Sequence, residues 1–139
     1  MTDDISTDQA AIRELIADYA LALDAGEIDA CAQLFTPDGE FMVYGRSFVG
    51  PDGIAKMFRD APRGLHLTGV SRIDVGSGEP DSATAQSQVL FVRASDLHLR
   101  PALYDDELAR RDGQWLFQRR RCRFITSHGL SDSPEVSSS

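Results

Sequence analysis

The chain has only two cysteines, Cys31 and Cys122, too few for a disulfide framework. That usage suits a reducing compartment, so a cytoplasmic location is expected. No Cys/His pair has zinc-site spacing, and Asp96 and His98, two apart, lack a third ligand nearby in the chain. Gly-x-Ser-x-Gly is absent, and Gly76-Ser77-Gly78 lacks the rest of a phosphate-binding loop. The expectation is therefore no cofactor and no metal. No apolar run approaches the roughly 18 residues that cross a bilayer. The opening MTDDISTD is acidic and polar, unlike a signal peptide or an anchor. Basic charge is short: 14 Lys and Arg against 22 Asp and Glu leave a formal charge of -8. That balance argues against a nucleic acid or an anionic membrane as partner. The single lysine, Lys56, falls in a polar helix start and argues against Schiff-base catalysis.

What remains is ordinary globular material. At 139 residues and 42% hydrophobic, the chain suits one core and one domain. Residues 1–127 read as that domain and 128–139, rich in Ser and Pro, as a disordered tail. Ser6 with Gln9 makes a capping box, and Ile12, Leu15, Ile16, Tyr19 and Leu23 form a helical stripe that Gly26 ends. Glu27 to Leu34 reads as a short second helix, Pro37-Asp38-Gly39 as a turn, and Glu40 to Tyr44 as a strand. Gly50-Pro51-Asp52-Gly53 opens a third helix carrying Ile54, Met57 and Phe58. Long strands follow over 65–75, 83–93, 102–110 and 114–125, the last two flanking an Asp112-Gly113 hairpin turn. Helices followed by an antiparallel meander describe an α+β domain, with a twisted sheet curling round the helices and leaving a cavity.

Counting outward from Asp112-Gly113 pairs Asp106 with Arg119 and Asp105 with Arg120, which neutralises both charge runs. Strand alternation then groups Arg120 with Cys122 and Phe124, and sets Trp115, Phe117, Arg119 and Arg121 on the opposite face. Arg120 is read either as a cross-strand partner or as an anion or leaving-group binder inside a pocket. The hairpin charges and Trp115 are candidates for a subunit interface.

Among the three histidines, His128 falls in the tail and His98 near a strand connection. His66 faces away from Leu65 and Leu67, on the side of Thr68 and Val70. Asp24 sits in the last turn of the first helix, where the dipole disfavours a carboxylate, among Ala17, Ala20 and Leu21. It either closes the helix turn or, breaking a local rule in apolar surroundings, serves function. Reaching His66, it would orient the imidazole as a general base. Tyr19, one turn earlier, is either a core aromatic or a phenol donor to a developing oxygen.

The segment 12–41 (IRELIADYALALDAGEIDACAQLFTPDGEF) resembles the opening of the SnoaL-like branch of the nuclear transport factor 2-like superfamily. Gly50 to Ile54, Leu65 to Thr68 and Arg110 to Trp115 fall where that family has similar segments. The resemblance spans residues 5–126. It implies a cone-shaped, barrel-like curved antiparallel sheet wrapped around three N-terminal helices, with an internal pocket. The scytalone dehydratase and hexachlorocyclohexane dehydrochlorinase group carries an Asp near the end of helix 1 and a His on the first long strand, positions matched by Asp24 and His66. Tyr19 and Arg120 match further pocket positions, and Tyr104 is expected to border the same pocket. Pocket shape would depend on Met42, Met57, Phe58, Val89, Phe91 and Phe124. Several dehydratases of the group carry a second His or Asp on the next strand, where this chain has Val89 and Phe91.

The expectation is a cofactor-free lyase, eliminating water or halide from a small apolar cyclic substrate. Asp24, His66 and Tyr19 would be catalytic; Arg120, Tyr104, Met57, Phe58, Val89, Phe91 and Phe124 would bind substrate. The alternatives are an isomerase or polyketide cyclase using the same base, or a non-catalytic ligand-binding or assembly subunit. A homo-oligomer is expected by analogy, with a trimer favoured and a dimer possible.

Overall fold

The computed structural model describes residues 2–135. Its elements run α1 (Thr2–Asp24), α2 (Ile28–Ala32), β1 (Phe35–Val43), β2 (Arg46–Val49), α3 (Gly50–Asp60), β3 (Gly64–Val75), β4 (Ser82–Arg93), β5 (Leu99–Arg111), β6 (Gln114–Thr126) and β7 (Gly129–Ser131). The strands form one sheet in the order β2-β1-β6-β5-β4-β3, and β7 adds to β6. The sheet is mixed, because β1 runs parallel to β6 while the other neighbours are antiparallel. It curves over the helices but does not close, so β2 and β3 remain edges.

The apolar stripe of α1 sets its packing. Ile12, Leu15, Ile16 and Tyr19 are all buried, and α1 lies chiefly on β3. The helix begins at Thr2, upstream of Ser6, so the expected capping box is not its start; Gln9 instead donates to the Ile73 carbonyl. Its end matches the sequence. Gly26 takes φ +80°, and Glu27 N–H returns to Ala22 O while Gly26 N–H returns to Leu23 O. This glycine cap stops the helix abruptly and leaves Asp24 in its last turn.

Four differences from the sequence reading have local causes. Tyr44 and Gly45 take φ +58° and +69°, turning β1 back into β2, a strand without its own pattern in the sequence. Pro37-Asp38-Gly39 lies inside β1, where the register with β6 shifts. Near Gly69 a bulge interrupts the β3–β4 ladder, so Val70 is exposed instead of sharing the His66 side. Gly129–Ser131 pair with Phe124–Thr126 within the segment expected to be disordered. Residues 136–139 lie outside the described residues.

A second bulge rearranges the last hairpin. Asp112 and Gly113 both take positive φ, the two-residue turn expected of Asp-Gly. Arg111 faces Gln114 and Leu108 faces Phe117, but Glu107 then faces Arg119 and Asp106 faces Arg120. Gln118 is the extra residue. Asp106, not Asp105, is therefore the partner of Arg120, and Asp105 bonds Arg123. The same shift puts Trp115 and Phe117 on the inner face together with Arg120, Cys122 and Phe124, against simple alternation. Trp115 is core: it is buried, its indole donates to Asp8, and Arg110 covers its ring.

Candidate active site

The site is built where the C-terminal end of α1 meets the first residues of β3. Asp24 Oδ2 accepts the backbone N–H of His66 at 2.8 Å, and Oδ1 lies 2.6 Å from His66 Nδ1. A carboxylate offers only acceptors here, so Nδ1 carries the proton and Nε2 keeps its lone pair. One carboxylate thus fixes the backbone position, ring orientation and tautomer of His66 together. Both side chains are more than four-fifths shielded from solvent. At the back of the pair, Arg63 donates to the Asp24 carbonyl, placing a cation at the helix C-terminus. Phe91, directly across from His66 on β4, packs against the imidazole with centroids 4.7 Å apart.

Burial lowers the pKa of His66 below its ordinary 6.5, while the hydrogen bond and charge of Asp24 pull the other way. The imidazole is accordingly neutral near pH 7, with a free nitrogen able to take a proton.

His66 lines a cavity of about 280 Å³. Tyr19, Tyr104, Met57, Phe58, Val89, Phe91 and Phe124, all named from sequence, line it as well. Met42 does not: its side chain lies on the other face of β1, beside Arg119. The second-base positions are as expected from register: Val89 faces Thr68 and Phe91 faces His66, neither offering an acid or base.

Tyr19 and Tyr104 form the polar end of this apolar wall. Their hydroxyls are 3.4 Å apart and their rings meet edge-on. Burial first, then mutual repulsion of the phenolates, raises the Tyr19 pKa far above its ordinary value, and burial raises that of Tyr104 too. Both are neutral hydroxyls, able to donate to an oxygen or halide. Arg120 is behind them rather than in the cavity. Its guanidinium is 3.8 Å from the Tyr104 ring centre, 4.3 Å from Tyr19 and 4.5 Å from Phe117, and it bonds Asp106 at 2.9 Å. It is 1% exposed, so the expected direct contact between Arg120 and a ligand is replaced by a role behind the phenols. The two cysteines are equally quiet: burial pushes both thiols up to about 12.

Of the lining residues that escaped the sequence reading, two make a polar contact with each other. Arg100 and Tyr44 border the cavity, and Arg100 donates to the Tyr44 hydroxyl at 3.2 Å. Register offered a signal for the first: Phe91 faces His66 on one side and Arg100 on the other, one row across three strands. Tyr44 depended on the turn into β2, which had no signature. Among the described residues no group of three or more His, Cys, Asp or Glu could hold a metal. Among them, too, no helix is long and apolar enough to cross a membrane.

Solved structures share this architecture. A protein of unknown function from Mycobacterium tuberculosis is 27% identical, with a TM-score of 0.80 over 88% of this chain and 75% of its own. A scytalone dehydratase-like protein from Novosphingobium aromaticivorans is also 27% identical, with a TM-score of 0.78 over 99% of this chain and 94% of its own. A hexachlorocyclohexane dehydrochlorinase from Novosphingobium barchaimii, 22% identical with a TM-score of 0.78 over 97% and 94%, shares the fold. No curated protein matches. The sequence itself matches the SnoaL-like domain over residues 4–121. An NTF2-like protein from Novosphingobium aromaticivorans, 24% identical with a TM-score of 0.79, shares the fold, and with the domain match over most of its length the chain belongs to the SnoaL-like family.

Proposed function

We propose that this protein is a cofactor-free lyase that eliminates water or halide from a small cyclic molecule. The observation that carries the reading is the Asp24–His66 pair: a shielded imidazole, held by a carboxylate, bordering an apolar cavity. His66 Nε2 takes a proton from carbon, the C–H electron pair becomes the new double bond, and the bond to hydroxide or halide breaks. Asp24 holds the imidazole in its working tautomer and stabilises the imidazolium that forms. Tyr19 and Tyr104 donate to the departing group where charge develops. The likeness to a scytalone dehydratase-like protein suits this reaction class. Proton-transfer isomerisation or cyclisation uses the same base, and the lack of a second acid–base group at Val89 and Phe91 favours it over a two-histidine dehydration.

The test is kinetic, over a panel of cyclic alcohols, halides and ketones. His66→Ala and Asp24→Asn, each checked for folding by circular dichroism, are expected to lower kcat about 10²–10⁴-fold. Turnover unchanged in both variants removes the dyad from the mechanism. A wild-type protein that binds panel members without turning any over selects the ligand-binding reading.

A further inference from the structure

We propose that the cavity takes an organic anion, an apolar ring carrying a carboxylate, and that Arg100 is the residue that anchors the carboxylate. The inference deepens the lyase reading by naming its substrate class, and rests on it only for the statement that the bound anion is also transformed.

The first observation is a contrast in charge. The chain carries a formal charge of -8, yet the cavity lining contains Arg59, Arg63, Arg100 and His66 and no Asp or Glu. Arg59 is bound to Asp29. On the outer face, Arg119, Arg121 and Arg123 each have a carboxylate, and deep in the fold so does Arg120. Among the described residues Arg100 forms no ion pair, and its one side-chain partner is the Tyr44 hydroxyl. Its Nε is buried and without a hydrogen-bond partner. Without a carboxylate, this half-buried guanidinium beside an apolar cavity is a cost the fold bears unless a ligand supplies acceptors to the nitrogens that solvent can reach; the enclosed Nε is not one of them. Carboxylate matches the planar fork of guanidinium better than a halide or a single hydroxyl does.

The second observation is placement. His66, Phe91 and Arg100 are consecutive partners across β3, β4 and β5. Neighbouring strands are about 4.8 Å apart, so the base and the cation rise from backbones roughly 10 Å apart with the Phe91 ring between them. A ring lying over Phe91 presents one end to His66 and the other to Arg100. The anchor is thus remote from the carbon that loses its proton, where binding energy serves to orient that carbon.

The third observation is support. Tyr44 holds Arg100 from a left-handed backbone, φ +58°, that an aromatic residue rarely adopts, and its ring stacks on Phe124 at 5.4 Å. Such strain persists where the surroundings hold it in place.

Binding of benzoate and of its neutral analogue benzamide, measured by calorimetry, tests the anchor without needing turnover. The wild type is expected to prefer benzoate about 10- to 100-fold, the worth of a charge-assisted hydrogen bond. Arg100→Gln, with an unaltered melting temperature, is expected to abolish the preference. Arg72→Gln, an equal change of charge at an exposed site away from the cavity, and Asp24→Asn are expected to keep it. Equal affinity for the two probes, no benzoate binding at millimolar concentration, or a preference that survives Arg100→Gln overturns the proposal. A preference that behaves as expected in a protein with no turnover on any cyclic acid leaves the anchor standing and removes the lyase.

Discussion

Asp24 is the residue at which local and tertiary demands conflict. A carboxylate in the last turn of a helix meets the negative end of the dipole, and nothing within α1 compensates for it. Compensation comes from outside the helix: the His66 backbone N–H and ring Nδ1–H bind the carboxylate, and Arg63 donates to the Asp24 carbonyl. The placement follows from pH chemistry as well. Burial holds the imidazole pKa below 6.5, and the neutral form is the base. Activity is therefore expected to be full above pH 6.5 and to fall only as pH drops through the lowered folded-state value. The same sign holds for stability: the fold buries a neutral imidazole at no charge cost above 6.5, and stability is lost as pH falls through the lowered folded-state value, because burial penalises the protonated ring more than Asp24 favours it. A pH profile of kcat/KM whose acid limb centres above 6.5 contradicts this assignment. The candidate carboxylate was legible because it breaks its local pattern, and the candidate base because strand alternation turns it away from Leu65 and Leu67; Arg100 was not, because an arginine near a strand end is unremarkable until its neighbours are known.

At the scale of the element, β6 decides the most. Its single extra residue, Gln118, turns two inner-face series into one continuous wall of Trp115, Phe117, Arg120, Cys122 and Phe124. It also exchanges the partner of Arg120 from Asp105 to Asp106, and both members of the new pair are almost fully buried. Burial pushes the Asp106 carboxyl up to about 6 even with Arg120 beside it. One guanidinium nitrogen, Nη1, has no hydrogen-bond partner, and three aromatic faces surround the cation instead. Removing one member leaves an uncompensated buried charge, so Asp106→Ala is expected to cost about 3–5 kcal/mol in urea unfolding. Replacing both, as Asp106→Leu with Arg120→Met, is expected to recover most of that loss. A single variant as stable as wild type would mean that neither charge depends on the other. Simple alternation cannot foresee a bulge, because the extra residue is selected by the curvature of the whole sheet rather than by its own side chain.

The whole molecule is an open curved sheet with two unlike faces. The inner face is core and cavity. The outer face is divided: Arg119, Arg121, Arg123 and Asp105 occupy one region, while Leu65, Leu67 and Leu99 are exposed toward the β3 edge. Such an apolar region on an edge strand is a liability for a monomer. We expect self-association to cover it, in a trimer or a dimer. Light scattering on a sizing column checks this, and Leu65→Glu with Leu67→Glu is expected to dissociate the assembly. A wild-type mass equal to the 15.3 kDa chain removes the expectation. Trp115, a candidate for such an interface by sequence, is buried against Asp8 and Arg110 and is unavailable to it.

The α+β class, the order of the main elements, the end of α1 at Gly26, the misplaced charge of Asp24 and the facing of His66 are all written in the chain. These follow from period, capping and turn chemistry, which act over a few residues. The acidity is set there too, and it resides mostly in solvated carboxylates and says little about the cavity. That β1 runs parallel to β6, that bulges reassign Val70 and Arg120, and that an acidic chain borders its apolar cavity with three arginines and no carboxylate emerge only once the strands are assembled. Each of these depends on which strands become neighbours and on how strongly the sheet must bend to cover α1, quantities that no local pattern encodes.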